Sequence, residues 1–208
     1  MLIYCIRHGE SAYNAQGRIQ GHLNVPLSEL GRRQATALAE ASKGWQAEAL
    51  FCSPLQRARE TAEPIAAALG LPIREEPQLI EIGVGIFQGH SRDELDRVFP
   101  AEYARWRSGD PDYAVPGGES RRALMVRGRA ALESIARCGH GRVIVVSHGA
   151  ILAAAFKSLL EIPAARHPFP LENAAVSRLE IEGPTVRLLS LNDVGHLEGI
   201  GLAGEGDL

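Results

Sequence analysis

Three short apolar runs, residues 2–6, 49–52 and 143–146, each break off into a polar cluster. The clusters are Arg7-His8-Gly9-Glu10, Ser53-Pro54-Leu55-Gln56-Arg57 and Ser147-His148-Gly149. Runs this short cannot make a helix with a buried face, so they read as strands buried on both sides. The segments between them carry helix signals. Ser28 caps a helix that continues through Leu38 toward Gly44. Ser53-Pro54-Leu55-Gln56 reads as a capping box with Pro at the first helical position. The helix it opens is expected to end at Gly70, with a kink or break at Pro64. Ser91-Arg92-Asp93-Glu94 reads as another capping box, opening a helix up to Phe99-Pro100. Leu124, Gly128, Ala131 and Ile135 fall on one helical stripe, and a further helix is predicted over 150–160.

Residues 72–75 read as a third short strand, and 174–181 pairs with 185–191 as a hairpin across Glu182-Gly183-Pro184. The Gly-rich stretch 79–90 is irregular, and 103–119 reads as a helix followed by a lid-like loop. Strands alternating with helices imply an α/β three-layer sandwich. Its central sheet is mostly parallel, with one antiparallel edge strand and helices on both faces. With 208 residues and no internal repeat or linker, the chain is expected to form a single domain over 1–208.

Composition narrows the function classes. Lys plus Arg number 22 against 25 Asp plus Glu, a formal charge of −3. That lacks the basic field a nucleic-acid or anionic-membrane partner requires. Hydrophobic residues at 45% and charged ones at 23% exclude disorder as the main state. No apolar run approaches the ~20 residues of a membrane helix. The amino terminus has neither a basic flank nor a small-residue cleavage site, so no signal peptide is expected. Cys5, Cys52 and Cys138 are an odd, widely spaced set. They fit small hydrophobes in a reducing cytoplasm rather than disulfides or a zinc site.

In open α/β sheets ligands bind at the carboxyl ends of the strands. The three clusters therefore deliver His8, His148, Arg7 and Arg57 to one sheet edge. Guanidinium groups suit a phosphoryl group because they donate paired hydrogen bonds and keep their charge. A histidine among them can attack phosphorus through a ring nitrogen or donate to the equatorial oxygens. Helix N-termini at Ser53 and Gly149 would add backbone N–H groups. His22, His90, His140 and His167 lie in polar loops and read as structural hydrogen-bonders. Trp45, Trp106 and Phe87 read as packing or lid residues. No Asp, His or Cys set has metal-ligand spacing, so neither metal nor cofactor is expected.

Arg7-His8-Gly9-Glu10-Ser11 with Asn14 resembles the Arg-His-Gly signature of the histidine phosphatase superfamily, in its phosphoglycerate mutase-like branch. Further matches follow in the family's order. They are Gly17-Arg18-Ile19-Gln20-Gly21, Pro26-Leu27-Ser28, Ser53-Pro54-Leu55-Gln56-Arg57-Ala58 with Thr61-Ala62, and Leu79-Ile80-Glu81 with Gly85 and Gln88-Gly89. Pro116-Gly117-Gly118-Glu119-Ser120 and Val145-Val146-Ser147-His148-Gly149 complete them, and the resemblance extends to Leu191-Asn192 and His196. It implies His8 as a nucleophile that becomes phosphohistidine. Arg7, Arg57 and a protonated His148 would hold the phosphoryl group. Ser11, Asn14, Gln20, Gly21 and the Gly149 backbone would contact the substrate. Glu81 would be the proton donor to the leaving oxygen and the base toward water.

As a nucleophile His8 must be neutral, so its other ring nitrogen should donate to a backbone carbonyl. Ile80, Ile82 and Ile86 should desolvate Glu81 and keep it protonated; Glu10 is the competing carboxylate. Mutases of the family carry Arg-His-Tyr after the acid and a longer insertion before Pro-Gly-Gly-Glu-Ser. Here Ile82-Gly83-Val84 and a short connection replace them, which favours transfer to water. Many relatives also place an Arg after Ser-His-Gly. Here Ala150-Ile151-Leu152-Ala153 has none, which speaks against a second anionic group beside that helix.

The expected activity is that of a metal-independent phosphatase for a small phosphorylated metabolite. Phosphoglycerate mutase and a non-catalytic phospho-ligand-binding module are the alternatives, and a metallohydrolase is disfavoured. Specificity is expected from Tyr13, His22, Phe87, Trp106 and the loop 113–118. The edge hairpin offers a homodimer surface.

Overall fold

The computed structural model describes residues 1–164 and 169–202, so His167 lies outside the described residues. Six strands, β1 (Leu2–Arg7), β2 (Ala49–Cys52), β3 (Ile73–Glu75), β4 (Arg142–Ser147), β5 (Val176–Glu182) and β6 (Thr185–Asp193), form one sheet. The strand order is β3-β2-β4-β1-β5-β6. Pairs β1–β4, β2–β4 and β2–β3 are parallel, whereas β5 runs against both β1 and β6. The antiparallel margin is thus a hairpin of two strands, and the strand that runs against the rest lies second from the edge. A two-strand margin follows from the tight turn at Glu182-Gly183-Pro184, which allows only antiparallel neighbours.

Because side chains alternate across a strand, the apolar runs supply both faces of the sheet. Ile3, Cys5, Val143 and Val145 pack on one face against Leu132 and Ile135 of α5 (Arg121–Ala136) and Leu152 and Phe156 of α6 (Gly149–Leu159). Tyr4, Ile6, Ile144 and Val146 pack on the other against Leu38 of α1 (Glu29–Ser42) and Ala58, Ala62 and Ile65 of α2 (Gln56–Leu69). Gly128 permits the close α5–α6 crossing, since a Cβ there would meet Ile151 Cδ1 at 3.0 Å and Ala155 Cβ at 3.1 Å. A third cluster joins Phe87, Leu95 of α3 (Arg92–Val98) and Tyr103 of α4 (Pro100–Arg107) to Leu124 and Ile151. Phe87 and Trp106 are packing residues there, and Trp45 stacks on Tyr4.

Ser28 and Ser91 cap α1 and α3 as the sequence predicts, Ser91 within a complete capping box. Ser53 does not cap α2: the helix starts at Gln56 behind Leu55, which has no side-chain cap bond. The Ser53 hydroxyl is instead 2.7 Å from His148 Nε2, so another partner has claimed it. Pro64 neither ends nor breaks α2, which continues to Leu69 before Gly70 closes it in the left-handed conformation. Cys5 and Cys52 are buried and Cys138 is half-buried, all as free thiols. Burial pushes the Cys52 thiol up to about 12, so it is inert as a nucleophile near neutrality. Among the described residues no helix is long and apolar enough to cross a membrane.

Candidate active site

Strand register gathers the polar clusters. Arg7 pairs with Ser147 and Cys52 with Val146, so His8, Ser53 and His148 leave the sheet side by side. The His8 N–H donates to Ser147 O at 2.9 Å and the Ser53 N–H to Val146 O at 3.0 Å. The two imidazole centroids are 5.0 Å apart. Behind His8 the chain is locked by close packing. A Cβ on Gly31 would come within 2.0 Å of Glu10 O, so α1 can approach only through a glycine.

His8 Nδ1 donates to Gly9 O at 2.7 Å, the backbone contact that a neutral nucleophile requires. Its Nε2 accepts from Arg57 Nε at 3.2 Å. Burial foremost, then the charges of Arg57 and Arg7, holds the His8 pKa well below the ordinary histidine value. The ring is therefore neutral, with its lone pair on Nε2. Arg57 is 1% exposed and donates from Nη1 to Leu23 O and from Nη2 to Gly21 O, each at 2.9 Å. Gly21 thus enters the site as a carbonyl that aims Arg57.

His148 is the N-cap residue of α6. Its Nε2 meets Ser53 Oγ, and its Nδ1 is buried with no protein partner among the described residues. Burial, then Arg57, His8 and Arg7, pushes its pKa well below the ordinary value. The protein groups alone therefore leave His148 neutral. That corrects the expectation of a protonated ring: the neighbouring cations and the loss of water both oppose a second positive charge.

Glu81 reaches the same helix end. Its Oε1 accepts from Ile82 N at 2.9 Å and Ile151 N at 3.0 Å, and its Oε2 from Ala150 N at 3.1 Å. Beside the expected apolar neighbours Ile82 and Ile86, main-chain N–H groups therefore meet both oxygens of this carboxyl group and fix its position. Arg127 clamps the segment that carries it. Its guanidinium donates to Gln78 O and Ile80 O at 2.7 Å each and to Glu81 O at 3.3 Å, while pairing with Glu119 at 2.8 Å. His22 Nε2 also donates to Glu81 O at 2.7 Å, so this loop histidine braces the acid's backbone. Glu10 turns away: it accepts from Ser28 Oγ at 2.5 Å, at the start of α1.

Ser11, Asn14 and Gln20 are all buried and joined to one another, with Ser11 Oγ 2.9 Å from Asn14 Oδ1 and 2.8 Å from Gln20 Oε1. Asn173, absent from the sequence expectations, donates to His8 O at 3.1 Å and ties Asn14 to the nucleophile's backbone. Thr61, matched only as part of a motif, accepts from Gly9 N at 3.0 Å. Arg7, Glu81 and Gly149 open onto a cavity of about 720 Å³ that is also lined by Trp106, Arg121, Leu124, Met125 and Lys157. Tyr13 and Phe87 do not line it, and His22 with residues 114, 117 and 118 borders a separate recess. Among the described residues no group of three or more His, Cys, Asp or Glu is placed to hold a metal ion.

The family model of the histidine phosphatase superfamily (branch 1) matches residues 3–194. A metal-independent phosphoserine phosphatase of Arabidopsis thaliana is 38% identical over 98% of this chain and 86% of its own. A Photorhabdus laumondii protein named probable phosphoglycerate mutase GpmB is 38% identical over 88% of this chain and 86% of its own. Among solved structures, a mycobacterial glucosyl-3-phosphoglycerate phosphatase complexed with VO3 superposes with a TM-score of 0.84 at 33% identity. It covers 92% of this chain and 98% of its own.

Proposed function

From the premise that this chain belongs to the histidine phosphatase superfamily, we propose that it hydrolyses a small phosphomonoester through a phosphohistidine on His8. One observation carries the reading: Nδ1–H of a buried, neutral His8 is committed to Gly9 O, while Nε2 keeps its lone pair beside Arg57. In the first step the Nε2 lone pair forms the N–P bond as the P–O ester bond breaks. The leaving alkoxide takes a proton from Glu81. In the second step the Glu81 carboxylate takes a proton from water, whose oxygen bonds to phosphorus as the N–P bond breaks. Phosphate leaves, and neutral His8 and protonated Glu81 are restored.

Arg7 and Arg57 balance the charge of the transferring group, and the unpartnered Nδ1 of His148 meets one of its oxygens. The Ser53 hydroxyl orients that ring. Ser11, Asn14 and Gln20 hold the backbone that carries His8. The three free cysteines suit the cytoplasm, to which we assign the protein.

Hydrolysis of p-nitrophenyl phosphate after exhaustive EDTA treatment tests this reading. Activity should persist, gain nothing from Mg²⁺ or Zn²⁺, and fall with vanadate, which adopts the geometry of the transferring phosphorus. Loss on chelation, restored by a divalent ion, would refute it. Phosphoryl transfer from a bisphosphoglycerate to monophosphoglycerate faster than to water would favour the mutase alternative.

A further inference from the structure

Residues 171–175, between α6 and β5, form a strap behind the nucleophile. Arg7 Nη1 donates to Leu171 O, and Arg7 N donates to Ala175 O at 3.2 Å. His8 O takes two donors from the same strap, Ala174 N at 3.0 Å and Asn173 Nδ2 at 3.1 Å. The turn that brings both donors to one oxygen puts Ala174 at φ +61°, the left-handed region that a residue with a Cβ avoids. Such backbone persists only where its surroundings hold it.

The hold comes from the edge of the sheet. β6 pairs Ser190 with Arg178 and Asp193 with Val176, so Leu191 and Asn192 together face the single residue Ser177. The extra residue is a β-bulge, and the core records it: Val186 and Leu188 pack on one apolar cluster, followed by Leu191 rather than Ser190. Asn192 sits in the bulge at φ +55°, with its N–H donating to Ser177 Oγ at 3.1 Å. Its Oδ1 accepts from Glu172 N at 2.6 Å, and Ala175 N donates to Glu172 O at 3.1 Å, closing the turn of the strap. The His196 ring adds a hydrogen bond to Ala174 O. Bulges beside active sites re-aim a side chain, and here the side chain is aimed at the strap.

We propose that Asn192 is a positioning residue for phosphoryl transfer: through Glu172 it fixes the strap that holds the Arg7 guanidinium and the His8 carbonyl. This rests on the proposed hydrolase reading and adds to it a residue that never meets the substrate. Asn192 does not line the cavity, whereas Leu171 and Glu172 of the strap do. A strap set loose at Glu172 therefore shifts Arg7 and His8 relative to each other without removing either. Alignment at phosphorus is sensitive to such shifts, since a misplacement of about 1 Å costs on the order of 10² in rate. The left-handed backbone at position 192 also restricts its replacements. Asn, Asp and Gly tolerate that conformation, and of the three only Asn and Asp carry a side-chain acceptor for the Glu172 N–H.

The test compares Asn192→Gly, which removes the acceptor without straining the backbone, with Asn192→Asp, which keeps it. Both are assayed in the full chain on p-nitrophenyl phosphate, at a temperature where calorimetry shows each variant folded. In Asn192→Gly kcat/KM should fall by about tenfold or more, and inhibition by vanadate should weaken by the same factor. Vanadate has no alcohol half, so its weakening reports the phosphoryl pocket rather than the cavity wall. Asn192→Asp should regain most of both. An Asn192→Gly rate within about threefold of wild type would overturn the positioning role. So would a lowered rate with vanadate inhibition unchanged, or an Asn192→Asp variant no better than Asn192→Gly. Should Asn192→Gly fail to fold, Asn173→Ala decides from the other end of the strap. It removes one of the two donors to His8 O and should lower kcat/KM and vanadate inhibition together, whereas wild-type values for both would overturn the role. Wild-type hydrolysis that these substitutions leave intact removes the positioning role alone. No hydrolysis of any ester by the wild-type chain removes the hydrolase reading and the role with it.

Discussion

Replacing Arg57 by alanine separates what this one guanidinium does for the fold from what it does for the chemistry. It donates to His8 Nε2 at 3.2 Å and to Gly21 O and Leu23 O at 2.9 Å each. Alanine leaves two backbone carbonyls without that donor, at about 1–3 kcal/mol each when water cannot reach them. The variant also no longer desolvates a cation, so the net loss should be on the order of 2–4 kcal/mol. For a chain of this size the Tm should fall by roughly 5–15 °C. The rate should fall by about 10²–10³, the usual cost of one transition-state donor.

A third signature follows from charge. After burial, Arg57 is the largest influence depressing the His8 pKa. Its removal should move the acid limb of kcat/KM upward, toward the ordinary histidine value. Arg57→Lys should keep the limb low, yet not recover the rate, because a single ammonium cannot reproduce the planar fork. The assay is p-nitrophenyl phosphate hydrolysis across pH, at a temperature where calorimetry shows each variant folded. An Arg57→Ala rate within about threefold of wild type would refute the role of this residue.

Further outcomes concern pH and the acid. His8 and His148 titrate well below their unfolded values. Below about pH 6.5 the unfolded chain therefore binds more protons and stability falls, while above it the pair contributes no pH dependence. Urea unfolding between about pH 6.5 and 5 should show a loss of up to ~1.4 kcal/mol per pH unit for each ring. A rise in stability over that window would contradict the buried neutral pair. Glu81→Gln should impair esters of alkyl alcohols far more than p-nitrophenyl phosphate, whose leaving group needs little protonation. Arg127→Ala should show the same selectivity, because it frees the carbonyls of Gln78, Ile80 and Glu81. Equal losses on both ester types would assign the acid to another group.

Much of the site is legible in the chain because apolar runs are local signals. Residues 2–6 and 143–146 announce buried strands, and a strand's end fixes the place of the next residue, so His8 and His148 follow directly. The surroundings of Glu81 are not local. Two of its three amide donors come from Ala150 and Ile151, about seventy positions away, and only the folded α6 delivers them. Ser53 carries every local mark of a helix cap. What displaces that role is His148, on a different strand's end. Gly21 was expected at the substrate, whereas its carbonyl holds Arg57, a contact without side-chain pattern. Asn173 sits in a stretch with no periodicity and left no trace to follow. Lys157 did leave one: a charge inside an apolar helical run marks a buried cation in need of a reason.

Phosphorus bonded to a nitrogen of His8 is the central claim. It is tested most directly by mixing the protein with a ³²P-labelled phosphomonoester, quenching within the first turnover, and locating the label. The account predicts label on the protein that is stable to base and lost in acid. It should map to the peptide containing His8 and be absent from His8→Ala, whose circular dichroism should match wild type because the residue adds little to the apolar core. Turnover with no labelled protein at any quench time, or with label retained in His8→Ala, would contradict it.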